Sequence, residues 1–144
     1  MRVLQVGCAL DPRRRGGEEL LEAWPTLPAV ARAVSRAGAE VVVLQAAHAD
    51  AVVERDGVTF RFVAEPRIAR VPGTRGPAGV LPLRLARAAA VLKPEVIHLG
   101  GLAFPLHARA LATSGVPVLA RDHASAPPAR NAAVHRWGHA RVAA

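Results

Sequence analysis

Residues suited to chemistry gather in a few short loops. Gly16-Gly17 stand directly ahead of a helix-like run and directly behind Arg13-Arg14-Arg15. Glycines let a ligand approach the backbone closely, and a helix start offers free N–H groups to an anion. Phosphate is the natural candidate there, although two glycines can also make only a turn and three arginines only a solvated run. The spacing matches neither a G-x-G-x-x-G dinucleotide fingerprint nor a Gly-Lys-Ser/Thr phosphate loop. A second loop is Arg121-Asp122-His123-Ala124-Ser125. His123 can donate, accept or shuttle a proton near neutral pH, with Asp122 as a candidate orienting group. Neighbours on extended backbone point opposite ways, so a direct Asp122–His123 pair is not expected. Ser125 lacks the G-x-S-x-G context of a hydrolase nucleophile.

The other histidines read more plainly. His98 sits inside an apolar strand, as a core histidine with a hydrogen-bonded ring would. His48, His107, His135 and His139 read as surface residues. His135 and His139 have the i, i+4 spacing that can hold zinc, but no third ligand accompanies them, so no metal site is expected. Cys8, the single cysteine, is expected to pack beside the first strand. One cysteine permits neither an intrachain disulfide nor a cysteine-based zinc cluster, and a reducing cytosol is the simplest compartment.

These loops need elements to position them. Arg2–Val6 reads as a strand, Glu18–Trp24 as a helix, and Thr26 as the cap of a helix resumed after Pro25. Leu27, Val30, Ala31 and Val34 then share one face, with Gly38 as the stop. Glu40–Gln45 has the continuous apolar character of a strand buried on both faces. Ala51–Arg55 and Val58–Val63 flank Asp56-Gly57, a hairpin signal. Pro66–Gly79 reads as an exposed loop. A helix is predicted from near Leu81-Pro82 to Leu92, a strand at Val96–Leu99, a helix at Ala103–Ser114, a strand at Val116–Ala120 and a last helix from Ala129 to about Arg141. This alternation predicts a doubly wound parallel sheet, Rossmann-like, with helices on both faces. In such a sheet ligands bind beyond the carboxyl ends of the strands, which selects Gly7–Gly17, Gly100-Gly101 and Arg121–Ser125.

The 144 residues suit one domain, and 51% hydrophobic against 21% charged residues excludes a disordered tail. No run of apolar residues is long enough to span a bilayer, and the N-terminus lacks a signal-peptide pattern. The formal charge is +8, yet Lys93 is the only lysine among nineteen basic residues. An Arg and Ala bias explains part of that charge. A basic balance can mean nucleic acid, anionic headgroups or phosphorylated substrates. With 3% aromatic residues and no tyrosine, stacking platforms are scarce and nucleic acid is not expected.

Four segments, in order, resemble the N-terminal domain of GT-B glycosyltransferases of the retaining group 1 (family 4) class. Met1–Val6 with Gly16-Gly17-Glu18 is similar to the family's first strand and glycine loop. Arg32–Leu44 is similar to its helix, Gly-His-Glu-Val and strand signature, with Ala39 where His is common. Lys93-Pro94-Glu95-Val96-Ile97-His98-Leu99-Gly100-Gly101 resembles its Pro-Asp-Val-Ile-His-x-His-Gly strand, with Glu95 for Asp and Gly100 for the second His. Val116–His123 resembles its Val-Pro-Val-Val-x-x-x-His strand and loop.

The resemblance implies the N-terminal, acceptor-side half of a GT-B fold, truncated after Ala144. The nucleotide-sugar-binding C-terminal domain and its E-x7-E motif are absent from the chain, so the fragment alone is expected to be inactive. It implies a hexosyltransferase-class reaction from a nucleotide-sugar to an acceptor hydroxyl, with no cofactor or metal. Gly16 and Gly17 would approach the donor phosphates, and His123 would line the catalytic cleft as a contact and positioning residue. Arg15, Asp122 and Ser125 would lie on the acceptor side, shaped by the loops Cys8–Arg15 and Arg67–Gly79. A cytoplasmic protein associating peripherally with a membrane surface fits this class. The alternative is a stand-alone α/β binding module for a phosphorylated ligand or a partner protein.

Overall fold

Residues 1–65, 69–74, 76–121 and 132–142 are described by the computed structural model. The apolar run β1 (Arg2–Gly7) lies between β2 (Glu40–Ala47) and β5 (Val96–Gly100), parallel to both. β4 (Val58–Ala64) is parallel to β2, and β6 (Val118–Arg121) is parallel to β5. β3 (Ala51–Arg55) pairs antiparallel with β4 and forms one edge. The sheet order is β3-β4-β2-β1-β5-β6. Sequence therefore runs outward in one direction through β2 and in the other through β5, and it reverses at the β1–β5 junction.

Asp56 and Gly57, both at positive φ (52° and 75°), turn the β3–β4 hairpin as the Asp-Gly signal predicts. Two apolar layers result from the period-2 alternation of the strands. On one face Val3, Val41, Val43, Phe60 and Phe62 pack under α1 (Gly17–Ala23) and α2 (Thr26–Arg36), which bury Leu20, Leu21 and Ala31. On the other, Leu4, Val6, Leu44, Ile97 and Leu99 pack under α3 (Leu85–Leu92) and α4 (Pro105–Ala112). The final helix, α5 (Ala132–His139), packs on α4.

The predicted alternation of strands and helices matches this order, while several boundaries move. Thr26 is the first helical residue of α2, not its cap, and no side chain caps that end. α3 begins at Leu85, a turn later than Leu81. The carboxylate Oε1 of Glu65 accepts the N–H groups of Arg84 (3.0 Å) and Leu85 (2.9 Å), so a residue twenty positions earlier fixes where the helix starts. α4 and β6 are each shorter than their sequence patterns. The stretch expected as exposed loop contains a 3-10 turn, Gly76–Gly79, with Ala78 and Gly79 buried. Asp122–Pro128 and the predicted start of the last helix lie outside the described residues.

Candidate functional site

A cleft of about 500 Å³ opens at the carboxyl edge of the sheet, over the β1–β5 junction. This is the switch point at which open α/β sheets bind ligands. The register explains why there is room. Along the α1/α2 face, β1 presents Val3, Gln5 and Gly7 in succession, and β5 presents Val96, His98 and Gly100 beside them. Side chains thus change from apolar to polar to none as the strands reach their ends. Gln45 of β2 completes the row next to Gly7. Trp24, Thr26 and Leu27, at the break between α1 and α2, form the opposite wall. Pro25 lies at that break, where α1 ends and α2 begins.

Sequence reasoning passed over Gln5 and Gln45. Their signal was a carboxamide within an otherwise apolar buried strand. Gln5 is 7% exposed and its Nε2 donates to Leu27 O (3.4 Å), holding α2 to the sheet. Gln45 is 2% exposed and its Nε2 donates to Ala9 O (2.7 Å) and Ala46 O (3.0 Å). A Cβ on Gly7 would fall 1.9 Å from Gln45 Oε1, so the glycine leaves the carboxamide its place. His98, expected in the core, is half-buried and lines the cleft. No Asp, Glu, Lys or Arg is among the described residues lining it.

The loop after β1 is held from within. Asp11, 1% exposed, accepts Arg15 Nε (2.8 Å) and Nη2 (2.9 Å), and also the N–H groups of Arg15 (2.9 Å) and Arg13 (3.3 Å). The Arg15 hydrogen bonds hold the Asp11 carboxyl well below the usual carboxylate range. Asp11 O pairs with His48 Nε2 at 2.8 Å, so His48 is an anchor of this loop as well as a partly exposed residue. Cys8 is buried beside β1, as expected. Burial first, and Glu65 second, push its thiol above its ordinary range.

Of the residues singled out in the sequence, Arg15, Gly16 and Gly17 are among the described ones. Arg15 is engaged by Asp11, and neither Gly16 nor Gly17 lines the cleft. A Cβ on Gly17 would lie 2.8 Å from Phe62 Cε2 and 3.3 Å from Val53 Cγ2, a packing reason for that glycine. A Cβ on Gly16 would meet nothing within 4 Å. Asp122, His123 and Ser125 lie outside the described residues. His107, read as a surface residue, is instead 2% exposed, on the buried side of α4 with Ala108 and Leu111. Its ring stands edge-on to Phe104 and its Nδ1 has no hydrogen-bond partner, and burial lowers its pKa from 6.5 to about 4. His135 and His139 stack at 5.9 Å, and no group of three metal-ligating side chains occurs among the described residues.

No protein-family profile matches the chain, and no curated protein matches it. Among solved structures, the chain is similar to the glycosyltransferase SsfS6 of Streptomyces sp. SF2575, crystallised with thymidine diphosphate. The TM-score is 0.55 and the identity 19%, over 97% of this chain and 43% of that one. The catalytic domain of starch synthase IV from Arabidopsis thaliana, bound to ADP and acarbose, gives a TM-score of 0.44 and 14% identity. That match covers 84% of this chain and 33% of that domain. The likeness to SsfS6 and the six-stranded, mostly parallel sheet show the fold, a Rossmann-like half of the GT-B type. The chain spans less than half the length of that glycosyltransferase.

Proposed function

We propose that the cleft at the β1–β5 junction receives the hydroxyl acceptor in a glycosyl transfer from a nucleotide-activated sugar. The observation that supports this reading is the row Gln5, Gln45 and His98 at the switch point of a fold shared with a glycosyltransferase. Carboxamides and an imidazole exchange hydrogen bonds with hydroxyls, and the Trp24 indole offers an apolar wall to a ring. With no charged side chain among its described lining, the cleft suits an uncharged acceptor, and the arginines of the first loop do not bear on that choice.

In the transfer, the bond from the anomeric carbon to the donor phosphate oxygen breaks and a bond to the acceptor oxygen forms. The electron pair of the broken bond leaves with the nucleoside diphosphate, whose released phosphate oxygen takes up the hydroxyl proton. In this proposal the class is the retaining group 1 type, without metal or cofactor, in a cytoplasmic setting. A second, donor-binding domain supplies the other wall, so this chain alone orients the acceptor and does not turn over. Gly16 remains the glycine open to donor phosphates, and His123 the positioning residue beside the transferred sugar.

Binding of an uncharged phenyl glucoside tests the reading. In a Trp137→Phe variant the only indole is Trp24, and its emission is expected to change on titration with the glucoside. Gln5→Ala is expected to weaken that binding about fivefold or more, as loss of a hydrogen bond to a hydroxyl does. An unchanged Trp24 signal, or equal binding by Gln5→Ala, would overturn the assignment.

A further inference from the structure

The two faces of the sheet are covered unequally. On one, α1 packs on β3, and α2 packs on β2 and β4. On the other, α3 packs on β2 and α4, and a groove of about 650 Å³ opens between α3 and the hairpin strands β3 and β4. This groove lies across the sheet from the cleft at the β1–β5 junction. Leu44 and Val63, both buried, belong to its floor.

Both walls combine apolar side chains with arginine. On the helix side Leu83, just before α3, and Arg87 and Val91 on it recur every fourth residue, so they follow one line along the groove. On the sheet side Val52 of β3 and Arg61 of β4 are direct partners in the ladder, on the face opposite Val53 and Phe60. Val52, Leu83 and Val91 are 63%, 55% and 72% exposed. The charge of the lining is one-sided. Asp50 is its one carboxylate among the described residues, and it accepts Arg84 Nη2 (2.9 Å). Glu54, on the same sheet face as Arg61, accepts Thr59 Oγ1 (3.0 Å) and does not line the groove. Arg61 and Arg87 are exposed and have no carboxylate partner among the described residues. The second half of the chain has few acids to offer, since residues 66–144 hold ten arginines and Lys93 against Glu95 and Asp122 alone.

We infer that this groove docks an amphipathic helix of a partner protein, one that carries acidic residues between apolar ones. The shape favours a helix. The groove runs beside α3, whose eight residues extend about 12 Å, and a helix laid alongside α3 extends the layer over β4 and β3. An apolar, acidic, apolar stripe at four-residue spacing matches Leu83, Arg87 and Val91 step for step. Each guanidinium can then take a carboxylate through two parallel hydrogen bonds. A second copy of this chain is matched less well, because α3 in its partner's groove sets Arg87 against Arg61 and Arg87. A bilayer is also matched less well, because the apolar residues line two walls of a groove and a flat surface does not enter it. Nucleic acid finds no stacking platform there, since Phe62, the one aromatic residue of the described lining, is buried.

Fluorescence anisotropy with two labelled peptides tests this. Each is an alanine-based helix of about 16 residues, long enough to form in water. One carries Leu, Glu and Leu at four-residue spacing on one face, and the other has Lys in place of the Glu. The Glu peptide is expected to bind about tenfold or more tighter than the Lys peptide, and to weaken with added salt. In the double variant Arg61→Glu/Arg87→Glu that preference is expected to reverse. Val91→Asp is expected to weaken binding of the Glu peptide about fivefold or more, through the apolar wall. All three positions are exposed, and circular dichroism shows that the variants keep their fold. Equal binding of the two peptides, no binding, or an unreversed preference in the folded double variant would overturn the inference. So would a dimer of the chain in sedimentation velocity that Val91→Asp dissociates, since a second copy would then fill the groove. Flotation on anionic vesicles that Val91→Asp abolishes would overturn it in favour of a membrane.

Discussion

Residues 1–65 and residues 66–144 build the same sheet by different use of charge. In the first region polar groups are spent inside the structure. Asp11 takes four hydrogen bonds from its own loop, Gln45 fastens Ala9, and Gln5 fastens α2. In the second, the described arginines other than Arg84 have no carboxylate partner, and one of them, Arg109, lies against the half-exposed Trp137. His107 is the exception there, an ionisable group buried without a partner for Nδ1. A charge satisfied within the chain organises a loop, and a charge left without a partner on the surface is available to something else. The cleft belongs mainly to the first region, whereas the proposed docking groove is shared, with its sheet wall in the first and α3 in the second.

The largest effect expected from this contrast is acid sensitivity at His107. The unfolded imidazole takes up a proton near pH 6.5, the folded one only near 4. Between those values the unfolded chain binds more protons, so stability falls as pH falls. The full loss is about 3 kcal/mol at 1.36 kcal/mol per pH unit. Urea midpoints measured across that window should fall for the wild type and much less for His107→Leu. Parallel profiles for the two would show that another group causes the loss.

Next in size is Gly17→Ala. Its Cβ would press on Phe62, and overpacking of this kind costs about 1–3 kcal/mol. A thermal melt equal to wild type would return Gly17 to the group of glycines kept for ligand approach.

Charge reversal separates the two regions most directly. Arg15→Glu places a second carboxylate beside the buried Asp11 and is expected to lower the melting temperature at neutral pH. Because the fold lowers the Asp11 pKa, the stability from its pairing is present above its unfolded pKa and is lost as pH falls below the ordinary carboxylate range. The difference between this variant and wild type should therefore shrink in acid. Arg136→Glu is expected to change stability by no more than about 0.5 kcal/mol, the range of surface substitutions. If Arg136→Glu proved as damaging as Arg15→Glu, the contrast between the two regions would not hold.

Much of the fold was legible in short-range pattern. Three valines and a leucine before Gln45 announce a strand buried on both faces, and Asp56-Gly57 announces the hairpin. Strand ends bounded by glycine and proline were also readable. The start of α3 was not, because Glu65 caps it from the end of β4. The burial of His107 was missed because its neighbours Leu106 and Ala108 made the helix readable while leaving the rotation of its face open. At the site, the loop after β1 and Gly100-Gly101 were pointed to by the carboxyl-end rule, but the glutamines were read only as members of strands.

By itself the sequence determined the alternation of strands and helices, since period-2 and period-3.6 patterns and turn residues act over a few positions. It also determined the charge and its uneven division. The tertiary structure decided which polar residues share a surface. Gln5, Gln45 and His98 are far apart in the chain and become neighbours only through the register of three parallel strands. Whether Gly17 meets a ligand or Phe62, and whether Trp137 lies in a core or at the surface, depends in the same way on what packs against them from distant segments. Local pattern fixes elements because its forces are local, and long-range register fixes sites because a site is made of residues that the chain keeps apart.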